Sequence, residues 1–134
     1  MVNYKFLLSL FLVIFFVHIL GMYQNWYWSI PWLDIPMHFF GGFWIAIFFL
    51  WFRKNTINIF AQNSFLGDLV VLLGWVALIG VFWEFFEYFL DYIWAIKGVI
   101  PLSQVSITDT LKDLLMDLLG GALAFFLQTL YFKK

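Results

Sequence analysis

The 134-residue sequence contains no cysteine, and charged residues make up only 11% of it. Without cysteine, thiol catalysis, disulfide bonds and cysteine-ligated metal centres are excluded. Soluble domains carry about 25% charged residues, so the low charge content does not fit a water-soluble fold. The formal net charge of −1 supplies no basic field for nucleic acid, and we expect no nucleic-acid partner.

Apolar and aromatic residues are abundant, at 65% and 25% of the chain, with a mean hydropathy of +0.95. The apolar residues form four stretches, each near the ~20 residues that a helix needs to cross a bilayer. The composition therefore predicts an all-α polytopic membrane protein, a four-helix transmembrane bundle. We expect a single domain, residues 1–134, with spans at about 5–23, 34–52, 67–92 and 109–132.

The distribution of basic residues predicts the orientation. No small-residue cleavage signal follows the first apolar run, so it is interpreted as a retained span. The positive-inside rule then places both termini in the cytoplasm and the loops at 25–33 and 93–108 outside. Basic residues cluster at the N-terminus, after the second span and at the C-terminus: Lys5, Arg53, Lys54, Lys133 and Lys134.

Three carboxylates share one face of the fourth span. Asp109, Asp113 and Asp117 are spaced at i, i+4 and i+8, which aligns them along a helix. Ser106 or Thr108 can cap this helix, and Ser106 with Asp109 has the spacing of a capping box. A carboxylate at the centre of a lipid-exposed helix costs roughly 2.5–3.5 kcal/mol, so these three side chains need partners.

The second and third spans carry acids at a similar depth. Asp34 begins the second span, and His38 lies one turn deeper. Glu84, Glu87 and Asp91 lie on one face near the end of the third span. With the predicted orientation, these groups lie within about 12 Å of the outer span ends. The eighth acid, Asp68, is interpreted as a helix-start residue on the inner side.

Small residues continue each acidic face. Gly41 and Gly42 follow His38, Gly80 precedes Glu84, and Gly120 follows Asp117. Small residues allow helix backbones to approach closely in lipid, which predicts that the acidic faces meet in one chamber below the outer headgroups. The pattern D-x-x-M-[H/D]-x-x-G-G occurs in both the second and fourth spans, which indicates either a repeat of two parallel helices or a chance likeness between apolar segments.

Three sequence blocks resemble a known family. D-I-P-M-H-F-F-G-G-F, W-E-F-F-E and D-T-L-K-D are similar to blocks of the YjdF-type bacterial inner-membrane proteins, and more distantly to the VanZ-like proteins linked to glycopeptide and lipopeptide resistance. The resemblance implies a bacterial inner-membrane location. It supports these residues as a functional site but implies no particular reaction. Asp117 stands where the family prefers a small residue, and the extra N-terminal spans of YjdF-type members are missing. The matching positions are Asp34, His38, Gly42, Phe43, Glu84, Glu87, Asp109, Thr110 and Asp113.

Clustered carboxylates in a dry chamber need cations, shared protons or basic partners. The available bases are few, namely His18, His38, Lys97 and Lys112, and this shortage favours a bound cation. Carboxylates with one or two histidines suit Mg²⁺, Mn²⁺, Ca²⁺, Fe²⁺ or a carboxylate-bridged Zn²⁺ pair. The predicted metal ligands are Asp34, His38, Glu84, Glu87, Asp109, Asp113 and Asp117.

The leading hypothesis is a metal site that supports hydrolysis or group transfer on a membrane lipid or lipid-linked substrate, with Glu84 or Glu87 as a catalytic general base. One alternative is ion or proton movement, for which oligomerisation of the chain would have to complete the path. Another alternative is a non-catalytic envelope protein whose acids only pack the bundle. This alternative applies best to Asp91 and Asp109 at the span edges, and the excess of Trp and Phe is interpreted as lipid-facing.

Overall fold

The computed structural model describes residues 3–55, 64–95, 97–98, 103 and 106–131. All regular structure in these residues is helical, and four helices are long and apolar enough to cross a membrane. The predicted fold class is therefore confirmed. The basic pair at the C-terminus, Lys133-Lys134, lies outside the described residues. The helices are α1 (Tyr4–Tyr23), α2 (Trp26–Ser29), α3 (Asp34–Asn55), α4 (Phe65–Leu90) and α5 (Ile107–Tyr131), and a π-helical turn, Asp91–Ala95, continues α4.

Polar side chains fix where three of the helices begin. The Asn3 side chain accepts a hydrogen bond from the backbone N–H of Phe6 at the start of α1. Ser64 caps α4 in the same way. At α5, Ser106 Oγ accepts from the backbone N–H of Asp109 at 3.2 Å, so of the two predicted caps Ser106 is the one used here.

Helices α3 and α5 run parallel and form the most extensive interface of the bundle. Two glycines allow the close approach. A Cβ atom on Gly42 would overlap the backbone of Asp117, and one on Gly120 would overlap the carbonyl of Phe39. These glycines lie in the two related sequence segments, and the expectation that small residues bring these helices together is confirmed.

Helix α4 packs against both α3 and α5, and the apolar core lies in the half of the bundle where α4 begins. Leu72 and Val76 are completely buried there. Arg53 Nη1 donates to Asp68 Oδ1 at 2.7 Å, which ties the end of α3 to the start of α4. The opposite end of the bundle, where α3 and α5 begin and α1 and α4 end, contains the other acids and is called the acidic end.

Helix α1 packs mainly on α3, and most of its side chains are exposed. The indole N–H of Trp44 donates to the carbonyl of Leu7 at 2.8 Å, and the ring of Phe11 contacts the same indole. The exposed residues of α1 are mostly apolar, as expected for a helix that faces lipid.

Candidate functional site at the acidic end

The first turns of α3 place Asp34 and His38 side by side. They are spaced at i and i+4, so the helical period puts them on one face. His38 Nε2 lies 3.6 Å from Asp34 Oδ1. His38 is 7% exposed, so its ring is held among protein atoms. Asp34 also lies in the first turn of α3, where the helix dipole favours an acid.

The parallel packing of α5 brings its acids to the same histidine. Asp117 Oδ1 lies 3.5 Å from His38 Nδ1, the second ring nitrogen. Asp113 lies one turn nearer the start of α5 and is 2% exposed, and Asp117 is 4% exposed. No hydrogen bond from the described residues reaches the buried Oδ1 atom of Asp113.

A lysine lies among the acids that begin the two helices. Lys112 Nζ is 2.5 Å from Asp109 Oδ1, 3.5 Å from Asp113 Oδ1 and 3.9 Å from Asp34 Oδ2. The approach to Asp113 lacks the geometry of a hydrogen bond, so it is a charge contact. The ammonium therefore acts as a tethered counter-ion for α3 and α5.

Helix α4 supplies the two glutamates. Glu84 is buried, and Glu87, three residues later, is half-buried on the same face. The indole N–H of Trp83 donates to Glu87 Oε1 at 2.9 Å and orients this carboxylate. Periodicity predicts the two glutamates, but it does not distinguish Trp83 from the lipid-facing aromatic residues.

Two sets of side chains in the described residues have the spacing of a metal site, and His38 belongs to both. One set is Asp34, His38 and Asp113, and the other is His38, Glu84 and Glu87. In each set, one candidate ligand atom per residue lies within 4.8 Å of the others. The acids of α3, α4 and α5 therefore converge on one histidine, as the sequence predicted for these faces.

The remaining predicted ligands lie differently. Asp117 contacts His38 directly, although it stands where the resembled family prefers a small residue. Asp109 is joined to the cluster through Lys112. Asp91 is buried and accepts a hydrogen bond from the backbone N–H of Ser103 at 2.7 Å, which indicates a structural role at the start of the following segment.

A network of rings covers the cluster on the α1 side. The hydroxyl of Tyr27 lies 2.8 Å from His18 Nδ1. Burial raises the pKa of the Tyr27 phenol above its ordinary value, so the hydroxyl stays protonated and shares a hydrogen bond with the imidazole. The His18 ring meets Trp83 edge to face, with the ring centroids 5.4 Å apart. The contacts with Tyr27 and Trp83 therefore satisfy His18, and the sequence does not predict either of them.

A half-open cavity of about 440 Å³ lies between α1, α3 and α4 and reaches the cluster; we call it the lateral cavity. This volume is within the ~300–1,000 Å³ range of small-molecule sites. Polar side chains from the cluster line one part of it, including His38, Glu87 and Asp117, and apolar side chains line the rest.

Comparisons with known proteins agree with the membrane fold. The sequence profile of a family described as "Predicted membrane protein (DUF2238)" matches residues 4–134. A Thermotoga maritima protein described as uncharacterized is 31% identical over 108 residues, covering 78% of this chain and 52% of that protein. The chain thus spans about half the length of this relative. No solved structure matches the chain.

Proposed function

The chain belongs to the DUF2238 family of predicted membrane proteins, which is the YjdF family that its motifs resemble, and from that premise we propose a metal-dependent function for the acidic end. The cluster binds a divalent cation and supports hydrolysis or group transfer on a membrane lipid or lipid-linked substrate. The observation that carries this proposal is the convergence of carboxylates from three helices on the single buried ring of His38.

The balance of charge favours a cation. Buried charges are stable only when they are paired or coordinate metals. Among the described residues, the groups on the basic side of this cluster are His38 and Lys112. They face six carboxylates, so the acids outnumber the basic groups that contact them. The acids at the cluster are Asp34, Glu84, Glu87, Asp109, Asp113 and Asp117.

The position of Lys112 distinguishes the two sets. Its ammonium already lies within 3.9 Å of Asp34 and 3.5 Å of Asp113, where it supplies positive charge. We therefore assign the metal to the other set, His38 with Glu84 and Glu87. Two carboxylates with one imidazole suit hard or borderline ions, so Mg²⁺, Mn²⁺, Fe²⁺, Zn²⁺ and Ca²⁺ are the candidates.

The chemistry follows from the ligand types and their depth. A bound divalent ion lowers the pKa of a coordinated water and polarises a phosphoryl or carbonyl oxygen. With both glutamates assigned to the ion, a carboxylate of the cluster outside that set, such as Asp34, would act as the general base. The cluster is near the ends of helices that are long and apolar enough to span a membrane, so a spanning bundle would hold it near the level of the lipid headgroups.

The distribution of basic residues supports an inner-membrane orientation with the acidic end outside. Arg53 and Lys54 end α3 at the opposite end of the bundle from Asp34. Under the positive-inside rule that opposite end is cytoplasmic, together with both termini. A reporter enzyme that is active only in the cytoplasm, fused after residue 134, should then be active.

Elemental analysis of the purified protein tests the metal assignment. Wild-type protein exchanged into buffer with Mn²⁺ should retain the ion after desalting, whereas Glu84→Gln and Glu87→Gln should lose it. Asp68→Asn is the matched control, because it also removes one carboxylate but lies at the opposite end beside Arg53. Metal-dependent release of a water-soluble headgroup from vesicles would then report the reaction.

The proposal fails if every preparation is metal-free and chelators leave the melting temperature unchanged. That result would favour the alternative in which the acids only pack the bundle. Equal metal retention by Glu84→Gln and Asp68→Asn would show that the ion binds elsewhere, and it would also contradict the assignment.

A further inference from the structure

We propose that the lateral cavity holds one hydrocarbon chain of a membrane lipid whose headgroup reaches the carboxylate–histidine cluster. This inference rests on the proposed function, because it names the class of substrate for that site. It concerns the apolar part of the cavity, which is lined by residues that take no part in metal binding.

The lining of the cavity is divided into a polar part and an apolar part, as a lipid is divided into headgroup and tail. Its polar groups, among them His38, Glu87 and Asp117, belong to the cluster at the acidic end. Farther along the helices the lining consists of apolar side chains such as Phe11, Ile45 and Ile79. A molecule with one polar end and one apolar tail would match both parts, since each would meet groups of its own kind.

The length of the cavity matches one leaflet. Asp34 and Ile45, both in its lining, are eleven residues apart on α3, which corresponds to about 16 Å along the helix axis. The hydrocarbon core of a bilayer is about 30 Å thick, so one leaflet contributes about half of that. The polar part from Asp34 to His38 takes up about 6 Å of this length, so about 10 Å remains for a hydrocarbon chain directed toward the midplane.

The cavity is open on the side where a lipid would enter. Helix α3 forms the rear wall, because it packs against both α1 and α4. In the described residues α1 and α4 make no extensive contact with each other, although His18 and Trp83 meet ring to ring at the acidic end. This leaves a gap between α1 and α4 below these rings, through which a lipid chain from the surrounding bilayer would enter.

A hydrocarbon chain fits this gap better than a peptide segment. An extended peptide would bring backbone N–H and C=O groups into hydrocarbon, where unsatisfied groups are strongly unfavourable. The apolar part of the lining offers side chains such as Phe11, Ile14 and Ile45, which cannot pair with them. A lipid chain has no such requirement.

Adjacent residues on α4 provide a matched test. Ile79 lines the cavity, whereas Leu78 is 49% exposed on the outer face of the same helix. Ile79→Trp should fill the apolar part, while Leu78→Trp adds the same bulk outside. The proteins are reconstituted in vesicles of phosphatidylglycerol, extracted in detergent and analysed by native mass spectrometry.

Wild type and Leu78→Trp should each retain one lipid per chain, and Ile79→Trp should lose it. Helical content and melting temperature establish that each variant is folded, and Ile45→Trp fills the cavity from α3 if Ile79→Trp is unstable. Absence of a retained lipid in wild type, or equal retention by folded Ile79→Trp, overturns the proposal.

A measurement on the wild-type chain does not depend on whether the tryptophan variants fold. Phosphatidylglycerol carrying a photoreactive diazirine near the end of one acyl chain should label Phe11, Ile45 or Ile79. Labelling confined to outward residues such as Leu78 and Phe82, which are 49% and 59% exposed, would overturn the inference. Metal analysis of the same samples separates the two proposals, because lipid without metal contradicts only the function and metal without lipid contradicts only the cavity assignment.

Discussion

Both ring nitrogens of His38 face carboxylates. Nε2 lies 3.6 Å from Asp34 Oδ1, and Nδ1 lies 3.5 Å from Asp117 Oδ1. The two contacts come from different helices, so the ring orientation is fixed by the packing of α3 on α5. A nitrogen that ligates a metal would be orientated through its opposite nitrogen, as is common for metal-bound histidines. Asp117 is in the position to provide that orientation.

Replacing Lys112 tests the assignment of charge within the cluster. Lys112→Gln removes the ammonium beside Asp34, Asp109 and Asp113. These three carboxylates then have no lysine to balance their negative charge. We expect the variant to bind an additional equivalent of Mn²⁺, measured by titration calorimetry. Because Lys112 is one-third exposed, its loss should cost only about 1 kcal/mol of unfolding free energy.

Lys97→Gln serves as the control for this measurement, since Lys97 is exposed in the segment after the π-helical turn. It changes the net charge by the same amount and should leave the metal stoichiometry unchanged. Unaltered stoichiometry in Lys112→Gln would count against the assignment of Lys112 as a tethered counter-ion.

Some residues of the site follow from sequence and others do not. The i, i+4 spacing of Asp34 with His38, and of Asp113 with Asp117, places each pair on one face whatever the rest of the chain does. The location of Lys112 between two helices depends on how α3 and α5 are aligned. The hydrogen bond from Trp83 to Glu87 depends on one rotamer of the tryptophan. From sequence alone, Trp83 could not be distinguished from a tryptophan whose indole faces lipid.

At the level of helices, the α3–α5 contact depends on two glycines. Gly42 and Gly120 each lie against the backbone of the opposite helix. The small-residue pattern predicted this contact, because only residues without a side chain allow such an approach in lipid. The looser packing of α1 was not predictable, since its apolar face is equally suited to lipid and to a neighbouring helix.

Adding one methyl group at either position should separate the two helices. We expect Gly42→Ala and Gly120→Ala to lower the free energy of unfolding in detergent by about 1–3 kcal/mol, the usual cost of overpacking. The measurement is denaturant unfolding followed by circular dichroism. The metal affinity should fall together with the stability, because the acids of α3 and α5 would move apart.

Gly74→Ala is the matched control. A Cβ atom at Gly74 on α4 would meet nothing within 4 Å. This substitution should be neutral or stabilise the protein by up to about 1 kcal/mol, since alanine is more favourable than glycine in a helix interior. Equal stability losses in all three variants would contradict the proposed role of the α3–α5 contact.

For the molecule as a whole, the polar cluster and the apolar core occupy opposite halves of the bundle. Leu72, Val76 and Ala124 are at most 1% exposed in the half away from the acids. Among the described residues, no titratable chain continues from His38 through this packed region. This arrangement fits a site that opens on one side of the membrane. It does not fit a path through the membrane.

This asymmetry predicts that the protein alone does not conduct ions. Proteoliposomes with a pH-sensitive dye inside should show the same proton and Mn²⁺ leakage as protein-free vesicles. Glu84→Gln should leave this leakage unchanged. Flux above the background that is abolished by Glu84→Gln would favour the transport hypothesis over the enzyme.

Sequence alone was sufficient for the class of fold, because long apolar helices follow from composition and length. It was also sufficient for the faces that carry the acids. The lateral cavity could not be predicted, since it arises where α1 and α4 fail to close over α3. Cavities depend on helix tilt and side-chain rotamers, and neither is encoded in residue spacing.

Anomalous diffraction from Mn²⁺-soaked crystals of the full chain tests the central claim most directly. The account predicts one strong peak within coordination distance of His38, Glu84 and Glu87. A map without a peak at the acidic end, or with a peak only beside Asp68 at the opposite end, would contradict it.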